Sequence, residues 1–99
     1  MRIDYKHKLT HEEAYERISN LLTDLQRRYA DKISNPRMRW NPERTRMDYS
    51  VEIMGFGTNG QVTLRQGQVS LEGTLPFMAR MFSGKIEEMV KGQLDALFS

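Results

Sequence analysis

His7 and His11 stand four residues apart, the spacing at which two imidazoles on one helix face hold a metal together. The residues around them break that reading. Thr10-His11-Glu12-Glu13 is a Ser/Thr-x-x-Glu capping box, in which the Thr10 hydroxyl and the Glu13 carboxylate each satisfy an orphan backbone amide. A helix therefore starts at His11 and leaves His7 in the segment before it. The histidines share no helix face and read as surface residues. No Asp/Glu cluster supplies further ligands and the chain has no cysteine, so neither a metal nor a cofactor is assigned.

Gly55-Phe56-Gly57-Thr58-Asn59-Gly60 lacks the Gly-Lys-Ser/Thr of a phosphate-binding loop and precedes a strand rather than a helix, so it reads as a hairpin turn. Ser50, Ser70 and Ser83 have no nucleophile-elbow context. The carboxylates fall on solvent faces of the predicted elements, which disfavours triad and acid-base catalysis. The expectation is a protein that is not an enzyme. Arg37, Arg39, Arg44 and Arg46 surround Trp40, and cations beside an aromatic can meet phosphates and stack a base. Trp40 is in phase with Met38, however, and is read as entering the core with the arginines on the solvated sheet face. Nucleic acid is thus disfavoured as a partner.

The elements that must position these residues follow from periodicity. Ile3 and Tyr5 alternate with Arg2, Asp4 and Lys6, giving a short strand over residues 2–7. Ala14, Ile18, Leu21, Leu22, Leu25 and Tyr29 form one stripe at about 3.6 residues per turn. Acids gather at the start of that helix and Arg27, Arg28 and Lys32 at its end, complementing the dipole. Ser34-Asn35-Pro36 is expected to end it, because proline disfavours a helical residue before it. Met38 with Trp40, then Met47, Tyr49, Val51 and Ile53, alternate as strands. Gln66-Gly67 is a tight turn that pairs Val62 and Leu64 with Val69, Leu71 and Leu75. Gly73 marks a bend or a close helix approach. After Pro76 and the apolar run Phe77 to Phe82, Ile86, Met89, Val90, Leu94, Leu97 and Phe98 share one face of a last helix. The expected fold is α+β and two-layered: an antiparallel sheet of about five strands covered on one face by two helices, in the order β-α-β-β-β-β-α.

A chain of 99 residues holds one domain, 1–99, on the prior of about 100–200 residues each. It buries about 60–70 per cent of its unfolded surface, so a walled active site would compete with the core for side chains. The absence of cysteine fits a reducing compartment, and the cytoplasm is the expected location. Met1 to Lys8 has no apolar run, and so reads as neither a signal peptide nor a membrane span. The net charge is +2, but residues 27–46 hold seven cations against two acids, so attraction for anions would come from there.

Seven methionines are many for this length. Met54, Met78 and Met81 fall at the Gly55 turn or in the apolar run before the last helix. With Phe56, Phe77 and Phe82 they form a candidate patch for docking on a hydrophobic surface, a partner or a second copy of the chain.

Several segments together resemble the polyhydroxyalkanoic acid system family, small bacterial proteins associated with genes for storage-polyester synthesis and granule proteins. They are Ile3-Asp4 with His7, Thr10-His11-Glu12-Glu13-Ala14, Arg39-Trp40, Gly60-Gln61-Val62, Leu75-Pro76-Phe77, Phe82-Ser83-Gly84-Lys85-Ile86-Glu87-Glu88 and Gln93-Leu94-Asp95-Ala96-Leu97-Phe98. None is a catalytic signature, and the basic run from Arg37 to Arg46 has no assigned place in the pattern. The resemblance implies a cytoplasmic, non-enzymatic accessory protein of polyhydroxyalkanoate metabolism; together with the apolar patch it points to the granule or a granule-associated protein as partner, and the small core of so short a chain admits a homodimer as well. A second expectation from another class is a shortened helix-grip fold, with a lipid-like or acyl ligand between the sheet and the C-terminal helix. Two full helical stripes on one sheet face leave little room for the roughly 300 Å³ that such a ligand needs.

Overall fold

The capping box at Thr10 forms as its spacing predicts. The Thr10 hydroxyl accepts from the Glu13 amide at 3.2 Å and the Thr10 amide donates to the Glu13 carboxylate at 3.3 Å, which starts α1 (His11–Ser19). In this computed structural model, which describes residues 1–74 and 77–98 with the backbone alone at 77–79, the stripe from Ala14 to Leu25 is carried by two consecutive helices. Ser19 Oγ donates to the Tyr15 carbonyl at 2.7 Å and Asn20 Nδ2 to the Glu16 carbonyl at 3.2 Å. Such bonds compete with the backbone ladder and bend helices, and α2 (Leu21–Arg28) begins after Asn20. The stripe survives the break, since Ala14, Ile18, Leu21, Leu22 and Leu25 are all buried. A 3₁₀ turn (Phe77–Phe82) leads into α3 (Ser83–Phe98), which buries Ile86, Met89, Val90 and Leu94.

Beneath the helices lie β1 (Arg2–Lys6), β2 (Ile33–Trp40), β3 (Arg46–Ile53), β4 (Phe56–Arg65) and β5 (Gln68–Thr74), in an antiparallel sheet of order β1-β5-β4-β3-β2. Val62 pairs with Leu71 and Leu64 with Val69 across the Gln66-Gly67 turn, as their alternation predicts. Met47, Tyr49, Val51 and Ile53 are buried under the helices while Arg46, Asp48, Ser50 and Glu52 face the other way. The α+β, two-layer expectation holds, with helices on one face of five strands.

Three local readings change. Ser34-Asn35-Pro36 does not end the helix, which stops at Arg28; it is a bulge inside β2, with Asn35 at φ 51° and the pairing register shifting between Ser34 and Arg37. Proline is tolerated there because β2 is an edge strand with ladder bonds on one side only. Gly55 to Gly60 is not a turn. The turn is Met54-Gly55 alone, both with positive φ (53° and 83°), as a two-residue hairpin of the type I′ kind requires, and Ile53 pairs directly with Phe56. The glycines hide the strand because Thr58 and Gly60 occupy its inward phase, where apolar residues are expected. Gly73 marks the approach of a tyrosine rather than a helix.

That tyrosine is Tyr49. It pairs with Gly60, which pairs in turn with Gly73 on the next strand, so the ring lies across two strands whose inward side chains are absent. Its hydroxyl donates to the Glu72 carbonyl at 3.1 Å. Burial pushes its pKa up to about 12, so it stays a donor at all physiological pH. A Cβ on Gly60 would collide with the Glu72 carbonyl and the Tyr49 hydroxyl, whereas one on Gly92 in α3 meets nothing within 4 Å. Gly60→Ala is therefore expected to destabilise the fold by about 1–3 kcal/mol or more through forced backbone shifts. Gly92→Ala should stabilise it by about 0.5–1 kcal/mol through helix propensity. Denaturant melts of the two variants check both signs.

Candidate functional site

The predicted apolar patch divides in the structure. Met54 and Phe56, flanking the β3–β4 turn, are half-buried against the core. The side chains of Phe77 and Met78 lie outside the described residues. Met81 and Phe82, in the turn that feeds α3, are 83% and 43% exposed. Leaving such side chains in water forgoes about 1.5–3 kcal/mol each. α3 fixes the chain immediately after them, since Ile86 is fully enclosed four residues later, so the pair projects from an anchored joint.

The four arginines also divide. Arg44, at φ 57° in the β2–β3 loop, places its guanidinium 4.9 Å from the Tyr15 ring, which stacks on Trp40 at 4.7 Å. It thus lies on the helix side, while Arg37, Arg39 and Arg46 alternate onto the outer face. Arg46 is tied to Asp48 at 3.2 Å. Trp40 is half-buried against the core, so the outer-face arginines have no aromatic beside them on which a base could stack. The loop that reverses the chain here is organised by Asn41, whose carboxamide oxygen accepts from the Thr45 and Arg46 amides at 2.9 and 3.0 Å. Met38, expected inside, is 41% exposed because it falls on the edge strand next to the bulge.

Between sheet and helices, Leu21, Leu25, Ile53, Ile86 and Met89 help to line an apolar cavity of about 30 Å³. That is the space of about one water, an order of magnitude below the roughly 300 Å³ of a ligand pocket.

His7 is not the surface residue that its place before the helix suggests; it sits inside a latch at the end of α3. Its ring packs 4.8 Å from Phe98, which also meets Tyr5 at 5.6 Å. The Tyr5 hydroxyl donates to Asp95 at 2.7 Å, and that bond with Asp95 raises the tyrosine pKa. From α1, the Arg17 guanidinium donates to the Leu97 carbonyl, capping the negative end of α3. His7 Nδ1 accepts from the Leu9 amide at 3.0 Å, and its Nε2 is buried without a partner. The ring is therefore neutral with its proton on Nε2, and burial lowers its pKa. The sequence held one signal for this, since His7 continues the inward phase of Ile3 and Tyr5. Among the described residues no three His, Asp or Glu side chains converge as a metal site, and no helix is long and apolar enough to cross a membrane.

A two-layer α+β domain with a broken helix pair, a long C-terminal helix and an exposed apolar joint is thus a scaffold with surfaces rather than a walled cleft. Over residues 1–98 the chain matches the family described as "Putative polyhydroxyalkanoic acid system protein (PHA_gran_rgn)", and it belongs to that family. No curated protein and no solved structure matches the chain.

The latch makes stability depend on pH. The folded pKa of His7 lies below its unfolded value of 6.5, so between the two the unfolded chain binds more protons. The latch is at full strength above pH 6.5 and weakens as pH falls through the folded pKa. Melting temperature should decline across that window in the parent chain and less steeply in His7→Phe, as thermal melts in a pH series would show.

Proposed function

We propose that this chain is a non-enzymatic, cytoplasmic accessory protein of polyhydroxyalkanoate metabolism that docks on the storage granule, or on a protein coating it, through Met81 and Phe82. The carrying observation is the exposure of that pair, 83% and 43%, on an anchored joint in a chain of the polyhydroxyalkanoic acid system family. A polyester surface is apolar and irregular, and methionine adapts to such surfaces. Burying what is still exposed of both side chains gains about 2–4 kcal/mol, much of which is offset by the cost of association. The contact is then reversible unless several copies act together.

Cosedimentation with isolated granules tests this reading. The parent chain should pellet with granules, and Met81→Ser/Phe82→Ser should lower its partition by about tenfold or more. Because both residues are exposed, the thermal melt of the double variant should match the parent. Granules stripped of protein separate the two surfaces: retained binding identifies the polyester, lost binding a coat protein. A parent chain that stays in the supernatant, or a double variant that pellets equally, would overturn the proposal.

A further inference from the structure

β2 ends the sheet, so one side of its backbone bonds to β3 and the other is open. Which groups face the open side follows from the hydrogen-bond phase. The Asn41 amide donates to the Arg46 carbonyl at 2.9 Å, and the register runs on through Trp40↔Met47, Arg39↔Asp48, Met38↔Tyr49 and Arg37↔Ser50. Bonded and non-bonded pairs alternate along antiparallel strands. Arg37 and Arg39 therefore direct their backbone groups to β3, and Met38 and Trp40 direct theirs to the open edge. A strand added antiparallel would bond to Met38 and Trp40. Its residues opposite Arg37 and Arg39 would sit in the narrow, non-bonded pairs, where side chains approach most closely.

The side chains along this edge have a definite complement. Arg37 and Arg39 are exposed and make no ion pair among the described residues. Their cross-strand neighbours are Ser50 and an Asp48 already held by Arg46 at 3.2 Å. At the opposite edge of the sheet Arg2 is satisfied by Glu72 at 3.0 Å and Asp4 at 3.3 Å. Between the two free arginines, on the other face, stands Met38 at 41% exposure. The edge thus reads cation, apolar, cation, and its complement is acid, apolar, acid. A second copy does not fit, because antiparallel self-pairing of these residues sets arginine against arginine or leaves it facing Asn41. Edge arginines and a proline also guard against aggregation, but an exposed methionine in the same row works against such protection. The Asn35-Pro36 bulge closes one end, so the free run is residues 37–40.

We propose that β2 is a strand-acceptor edge for an extended segment of a partner protein in which acidic and apolar residues alternate. This surface is separate from the joint at Met81 and Phe82. The main-chain bonds supply attraction, and Arg37 and Arg39 supply selection.

Titration of the ¹⁵N-labelled full chain with an eight-residue peptide alternating glutamate and valine tests it. Saturable shifts should centre on residues 37–40, and hydrogen exchange of the Met38 and Trp40 amides should slow. Arg37→Glu/Arg39→Glu should weaken binding by about tenfold or more and gain binding of the lysine-valine counterpart, with an unchanged thermal melt. Absence of shifts at millimolar peptide would overturn the proposal, as would equal binding of the lysine-valine peptide by the parent chain. So would shifts at Arg37 and Arg39 without slowed Met38 and Trp40 exchange, or binding of a single-stranded oligonucleotide in place of the peptide.

Discussion

The Tyr49 ring spans three strands at the centre of the sheet. It fills the inward space that Gly60 and Gly73 leave empty, and its hydroxyl donates to the Glu72 carbonyl. This contact couples choices that look unrelated along the chain: two glycines inside strands, an aromatic on the neighbouring strand, and a register that cannot slip by one residue without placing a Cβ under the ring. The same segment holds β1, since the Gly73 amide donates to the Met1 carbonyl and its carbonyl accepts from the N-terminal ammonium, both at 3.0 Å. The glycines weaken the strands intrinsically, and the tyrosine offsets this by covering them.

Because the interior closes on itself, recognition is left to the periphery. The helices and the inner sheet face meet around about 30 Å³ of unfilled space, and the outer sheet face is a polar surface on which Arg2 pairs with Asp4 and Glu72 and Arg46 with Asp48. Exposed groups without partners among the described residues include Met81 and Phe82 where the 3₁₀ turn enters α3, and Arg37, Met38 and Arg39 on the edge strand β2. The two differ in chemistry, one apolar and adaptable, the other charged and directional.

Much of this architecture could be read from the sequence, because each layer carries a plain period. The alternation of Met47, Tyr49, Val51 and Ile53, the capping box at Thr10 and the stripe of α3 each name an element and a buried face. The pattern misleads where one side chain does a job normally done by the backbone or by another residue. Ser19 and Asn20 compete for helix carbonyls and split one stripe into two helices. Gly60 stands in an apolar phase because Tyr49 supplies the missing bulk, and Pro36 enters a strand because that strand is an edge. For the candidate surfaces, separation from the stripes does not by itself tell exposed from covered, since Met81 and Phe82 are exposed while Met54 and Phe56 pack on the core. The division of the arginines is not legible either, since it depends on the reversal of the chain at Asn41 and on the positive φ of Arg44.

The placement of β1 bears on when this protein can acquire its structure. Among the described residues, 2–6 pair with 68–72 alone, and the Tyr5 side chain meets Asp95 and Phe98. Residues 2–6 therefore have no sheet partner until the chain has been made through residues 68–72. The helices and the β2–β5 meander join sequence neighbours and can form early, but β1 docks through contacts about 60–95 residues apart in sequence, which carry the largest loop-closure cost. Until then the sheet carries β5 as a temporary open edge, and shielding that edge falls to the speed of release and closure.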